Sequence, residues 1–144
     1  MKPVYRSFFG LTREPFSSEI RVEEILQTPD VLAVSDRFHY ALRLGAMALV
    51  TGEVGSGKST ALRFAVSRLH PSEYRPLWIT ATSGSILELY RQLCSELEVD
   101  TSSSSRAVLT RIIRRQIMEI TTARKQKVVL IIDEASLLRL EVFI

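Results

Sequence analysis

The chain has 144 residues, of which 46% are hydrophobic and 24% charged, and a net charge of +3. That balance suits one globular domain with a core to bury, and a single cysteine, Cys94, excludes a disulfide scaffold. No apolar run reaches the roughly 20 residues needed to cross a bilayer, and no apolar h-region follows the N-terminal charges, so the reading is a cytoplasmic protein without a transmembrane segment.

Residues 1–34 read as an N-terminal aromatic arm, with Phe8-Phe9-Gly10-Leu11 and Pro15-Phe16 forming an irregular, turn-rich stretch packed on the domain. Residues 35–144 read as the core. Its first element is a helix from Ser35 to Leu44, capped by Ser35 or Asp36, with Phe38, Ala41 and Leu42 at helical spacing. Ala46 to Thr51 is a short apolar run ending at Gly52 and reads as a buried strand. A helix follows from Ser59 to Leu69, with Leu62, Ala65, Val66 and Leu69 on one face.

After Pro71 and Pro76 comes a second strand, Leu77 to Ala81. A helix opens at Ser85, where Ser85 and Glu88 have capping-box spacing, and Ile86, Leu89, Leu93 and Leu97 form its inner face. Cys94 lies in this segment as a small core residue. Thr101 to Ser105 is a polar linker. The helix from Arg106 to Ala123 carries a stripe of Leu109, Ile112, Ile113, Ile117 and Ile120. Val128 to Ile132 is a third buried strand. Strands alternating with helices predict a parallel α/β sheet with flanking helices.

Two motifs carry chemistry. Gly52-Glu53-Val54-Gly55-Ser56-Gly57-Lys58-Ser59, continued by Thr60, is a P-loop. Its glycines let the backbone turn tightly, its N–H groups form an anion nest, and the following helix adds its positive dipole end. Lys58 is placed to reach the β- and γ-phosphates of a nucleoside triphosphate, and the Ser59 hydroxyl to ligate Mg²⁺. The second motif is the strand Val128–Ile132 closed by Asp133-Glu134, a Walker B pattern. Asp133 reads as the second Mg²⁺ ligand and Glu134 as the general base that polarises water. A carboxylate in that place favours hydrolysis over phosphoryl transfer to a metabolite. His39 and His70 are far apart with no cysteine beside them, so zinc is not expected.

Two softer features allow plain readings. Arg106, Arg111, Arg114, Arg115, Arg124, Lys125 and Lys127 gather on the last helix and beyond it, against Glu119 alone. They suit DNA phosphates or an intersubunit surface, but a solvated helix face is the simpler account. Thr80-Ala81-Thr82 is either a γ-phosphate contact or an ordinary strand end before a helix cap.

The aromatic arm, the P-loop Thr51–Thr60 and Ile132-Asp133-Glu134-Ala135 together resemble the ExeA-type AAA+ ATPases, named for general secretion pathway protein A. They are also similar to TniB-like transposition ATPases. The resemblance implies an AAA+-like P-loop NTPase fold, ATP with Mg²⁺, homo-oligomeric assembly with an arginine finger from a neighbour, and a secretion or transposase partner. No base-reading motif is visible, so ATP rather than GTP comes from the resemblance. In such folds a sensor strand lies between the two Walker strands, and it would follow Ile144. The expectation is therefore an N-terminal portion, incomplete at the C-terminus, with Leu137, Leu138, Leu140, Val142 and Phe143 on a helix cut short. Two functional expectations follow: ATP hydrolysis coupled to secretion-machinery assembly or DNA transposition, or a fragment that binds nucleotide without hydrolysis or acts as a DNA-associated transposition regulator.

Overall fold

The computed structural model describes residues 4–17 and 20–142, which divide into two units between Arg68 and Leu69. The first unit opens with a short helix, α1 (Val4–Phe8). Arg6 donates to the Thr12 carbonyl at 2.7 Å, and the Tyr5 hydroxyl donates to the Glu14 carboxylate. The arm thus satisfies its polar groups locally. Its rings stay outside: Phe8 and Phe9 meet edge to face, and both they and Phe16 are exposed. The expectation of an arm packed on the domain does not hold for these aromatics, because local bonds rather than ring burial hold the turn together. Glu24, in a 3₁₀ turn over Val22–Glu24, pairs with Arg13 and Arg21 at 3.0 Å each.

Helix α2 spans Pro29–Leu44 and starts six residues earlier than the sequence reading placed it. Thr28 is the N-cap, accepting from the Val31 amide at 3.3 Å, and Pro29 takes the first helical position, where a missing N–H costs nothing. Ser35 is therefore mid-helix and buried rather than a cap. Gly45 ends the helix at φ 62°. Its N–H reaches Leu42 and the Ala46 N–H reaches Ala41, a Schellman closure that needs a left-handed residue. The run Ala46–Thr51 is not the buried strand expected. It has no strand geometry, and Met47 and Leu49 are 85% and 80% exposed. An apolar run becomes a strand only where a ladder partner takes its N–H and C=O groups, and the described sheet contains two other strands only.

Helix α3 spans Lys58–Ser67 and buries Ala61, Phe64 and Ala65. The expected face of Leu62, Ala65, Val66 and Leu69 is rotated: Leu62 and Val66 are half-buried, and Leu69 lies past the helix. Phe64, not singled out from periodicity, is the large anchor of that face.

The second unit is built on two parallel strands, β1 (Tyr74–Thr80) and β2 (Lys127–Asp133), with Leu77 opposite Leu130 and Thr80 opposite Asp133. Between them the chain forms α4 (Ile86–Glu96) and α5 (Arg106–Thr122). Leu77 and Ile79 of β1 join Leu89, Leu93, Cys94 and Leu97 of α4 and its end, and Leu109, Ile113 and Ile120 of α5, in one core. The fold is α/β with helices flanking a parallel sheet, as expected. Ser85 caps α4 by accepting from the Glu88 amide at 3.4 Å. The return half of a capping box is replaced by Ser83, which accepts from the Ser85 amide at 3.3 Å. The outer edge of β1 is closed by α4: the Trp78 N–H donates to the Glu96 carboxylate at 3.2 Å. A free edge amide is thereby removed from reach of a foreign strand.

After Asp133 the chain makes 3₁₀ turns at Ala135–Leu137 and Leu140–Val142 in place of one apolar helix. Leu138 is buried and Val142 packs on the core, while Leu137 and Leu140 are exposed. Glu134 in the left-handed region breaks the helical run before it can start. Phe143 lies outside the described residues.

Candidate functional site

In the first unit, the loop from Gly52 to Gly57 is shaped by its glycines. A turn closes with the Ser56 N–H donating to the Glu53 carbonyl at 3.2 Å. Gly55 at φ 80° and Gly57 at φ 87° occupy the left-handed region that other residues avoid. A Cβ on Gly52 would stand 2.8 Å from Ser56 Oγ, so a larger residue there would have to turn the Ser56 hydroxyl aside. Gly57 is the N-cap of α3 and offers no side-chain oxygen to its first amides. Those N–H groups have no intrahelical acceptor, and they point where an anion can meet them.

Lys58 opens the helix and folds back over the loop, donating to the Gly52 and Glu53 carbonyls at 3.0 and 2.8 Å. Its ammonium is thus held over the mouth of the turn. Ser59 and Thr60 are half-buried in the first turn of α3, while Glu53, Val54, Gly55 and Ser56 are exposed on the rim. All of Gly52, Glu53, Val54, Gly55, Ser56, Gly57, Lys58, Ser59 and Thr60 therefore lie on one turn and one helix end. The donors there are amides, an ammonium and hydroxyls, a set that fits a polyphosphate.

In the second unit, Asp133 ends β2. Its backbone carbonyl accepts from the Ala81 N–H at 2.9 Å, which fixes the C-terminal ends of both strands together. Its carboxylate Oδ1 accepts from the Glu134 N–H at 2.9 Å, so the side chain is held against its own strand end. Glu134 adopts φ 53°, a costly conformation for a non-glycine residue, and it is exposed. Its carboxylate has no hydrogen bond or ion pair among the described residues. Thr80 shares this edge with Asp133. An aspartate carboxylate at a strand end is an oxygen ligand of the kind Mg²⁺ takes.

One residue escaped the sequence reading. Arg139 packs its side chain on Gly84, where a Cβ would lie 2.8 Å from Arg139 Cγ. This brings an arginine to the turn just before α4. The contact joins positions 55 apart with no shared periodicity, so nothing in the sequence marked it.

A model of the AAA domain family matches residues 42–143. The chain is also similar to General secretion pathway protein A of Aeromonas hydrophila, at 32% identity over 141 residues, covering 92% of this chain and 24% of that protein. The chain thus spans about a quarter of the length of that curated relative. The resemblance to ExeA-type ATPases read from the arm and the two motifs is borne out. No solved structure gives a match.

Proposed function

The chain belongs to the AAA domain family, and from that premise we propose that it binds ATP with Mg²⁺ at Gly52–Thr60 and hydrolyses it to ADP and phosphate. The observation that carries this is the loop itself: a left-handed Gly57 opens α3 without a side-chain cap, beneath a lysine held by two carbonyls.

The loop amides and the end of α3 bind the phosphates. Lys58 exchanges the Gly52 and Glu53 carbonyls for β- and γ-phosphate oxygens, which as anions are stronger acceptors. By side-chain chemistry, the Ser59 hydroxyl of the first unit and the Asp133 carboxylate of the second are the groups that would each ligate the cation, Asp133 being kept in orientation by the Glu134 amide. When bound, Mg²⁺ supplies charge neutralisation at the phosphates. Glu134, whose carboxylate carries no hydrogen bond or ion pair among the described residues, takes the proton from water.

The output of turnover is proposed as assembly of secretion machinery, after the printed name of the relative. A homo-oligomer and a cytoplasmic location belong to the same proposal. No described helix is long and apolar enough to cross a membrane. A second reading, coupling to DNA in transposition, is favoured by the basic residues of α5 and the loop after it; a shift assay with and without ATP tests it, and absence of binding at low salt removes it.

Lys58→Ala should weaken nucleotide binding about 100-fold, corresponding to loss of one strong charge-assisted contact of about 3 kcal/mol. Titration of a fluorescent ATP analogue measures this. Unchanged affinity would reject the site.

A further inference from the structure

A groove of about 310 Å³ runs between α4 and α5. Its α4 wall is Tyr90 and Leu93. Its α5 wall is Thr110, Ile113, Arg114, Ile117 and Met118, which stand at i, i+3, i+4, i+7 and i+8. Leu93 and Ile113 form a buried floor, while Met118 at the mouth is 58% exposed. An apolar stripe at helical spacing is ordinarily covered. Here the stripe continues past the core to an open thioether, a side chain that adapts to many partners.

Charge indicates the occupant. Residues 106–127 hold seven basic residues and one acid, a net +6, while the whole chain has +3, so the rest carries −3. Arg114 is exposed and lines the groove, and Arg111 and Arg115 are exposed elsewhere on α5. The ion pairs among the described residues are Arg13–Glu24, Arg21–Glu24 and Arg75–Glu98, and none involves α5. The groove is therefore apolar at its floor with one cation, Arg114, on its wall, on a helix of strongly positive charge, and Arg114 has no ion pair among the described residues.

We propose that the α4–α5 groove docks an amphipathic helix of a partner protein whose apolar residues face Met118 and Ile117 and whose flanks are acidic. A nucleic acid would answer the arginines but leave Ile117 and the open Met118 without a partner, since phosphate ladders contact polar and cationic groups. A helix answers both. The α5 wall covers about 12 Å, or two turns, which is enough for anchors at i, i+4 and i+7 of the incoming helix. The inference is independent of nucleotide turnover.

The test is a displayed library of helical peptides of about 16 residues, apolar at i, i+4 and i+7, with Asp, Glu, Lys and Arg randomised at the flanking positions. It is selected on the whole chain. The expected result is enrichment of acidic flanks, with binding weakened about tenfold by Met118→Glu and by Arg114→Glu, as for the loss of one anchor. Met118 is exposed, so circular dichroism and ATP-analogue binding should match the parent chain. The proposal is overturned by no enrichment, by neutral or basic flanks, or by peptides that bind the Met118→Glu variant equally. It is also overturned if a short DNA duplex binds with sensitivity to Arg114→Glu and none to Met118→Glu. A dimer in sedimentation that Met118→Glu dissociates would likewise overturn it, by making a second copy the occupant.

Discussion

Gly57 at φ 87° caps α3 and shapes the loop together with Gly55. Gly57→Ala places a Cβ in the left-handed region at about 1 kcal/mol, and the loop relieves that strain by turning its amides away from the phosphates. Nucleotide affinity, read by the same fluorescent titration, should fall while the melting temperature changes little. Glu134→Gln keeps the shape of the side chain and removes its basicity. Turnover should drop by about 10²–10⁴, the usual share of a general base, with binding retained. A steady-state phosphate-release assay checks it, and unaltered turnover would remove Glu134 from that role. Ser35 is buried with its hydroxyl unpartnered among the described residues. Ser35→Ala should therefore stabilise the chain by about 1 kcal/mol, seen as a rise of about 3 °C in thermal unfolding.

At the level of elements, helix ends account for much of what was and was not legible. Ser85 was visible because its hydroxyl stands before an apolar period, and α4 begins there. Thr28 with Pro29 after it has the form of a helix start, but the apolar periodicity inward of it is blurred by Asp30 and Asp36. Thr28→Ala should cost about 1 kcal/mol in denaturant unfolding. The end of α4 is less visible still. Glu98 sits at φ 59°, with its N–H on Ser95 and that of Val99 on Cys94, where glycine would be at ease. Glu98 also pairs with Arg75 at 3.0 Å, but its carboxylate is 81% exposed, so that pair is screened. Backbone relief outweighs it, and Glu98→Gly should raise stability by about 0.5 kcal/mol. The strands β1 and β2 were legible as β-branched and aromatic runs. Ala46–Thr51 reads as a strand because composition reports apolarity and is silent on whether a ladder partner is present.

Across the whole molecule, the motifs were legible because they are contiguous: P-loop chemistry needs neighbours in sequence, and so does Asp133-Glu134. Arg139 on Gly84 and Glu96 on the Trp78 amide were not, because each joins distant positions that only the fold brings together. Cys94 gives a probe of the second unit. Burial pushes its thiol above the ordinary value of about 8.5. A raised folded value means the folded chain holds its proton longer, so this contribution is intact below that pH and is lost as pH rises above it. Unfolding midpoints measured at about pH 7 and about pH 9.5 should fall with pH, and Cys94→Ala should flatten that slope.

The Glu96 carboxylate bonded to the Trp78 amide has a consequence in spectroscopy. The chain holds one tryptophan, and it stands on β1, in register with Ile131 of β2. Its emission, excited on the red edge where the four tyrosines are silent, is the optical signature of the second unit alone. Fluorescence and far-ultraviolet dichroism followed through one melt then compare unfolding around the sheet of the second unit with loss of helix over the whole chain, with no label attached.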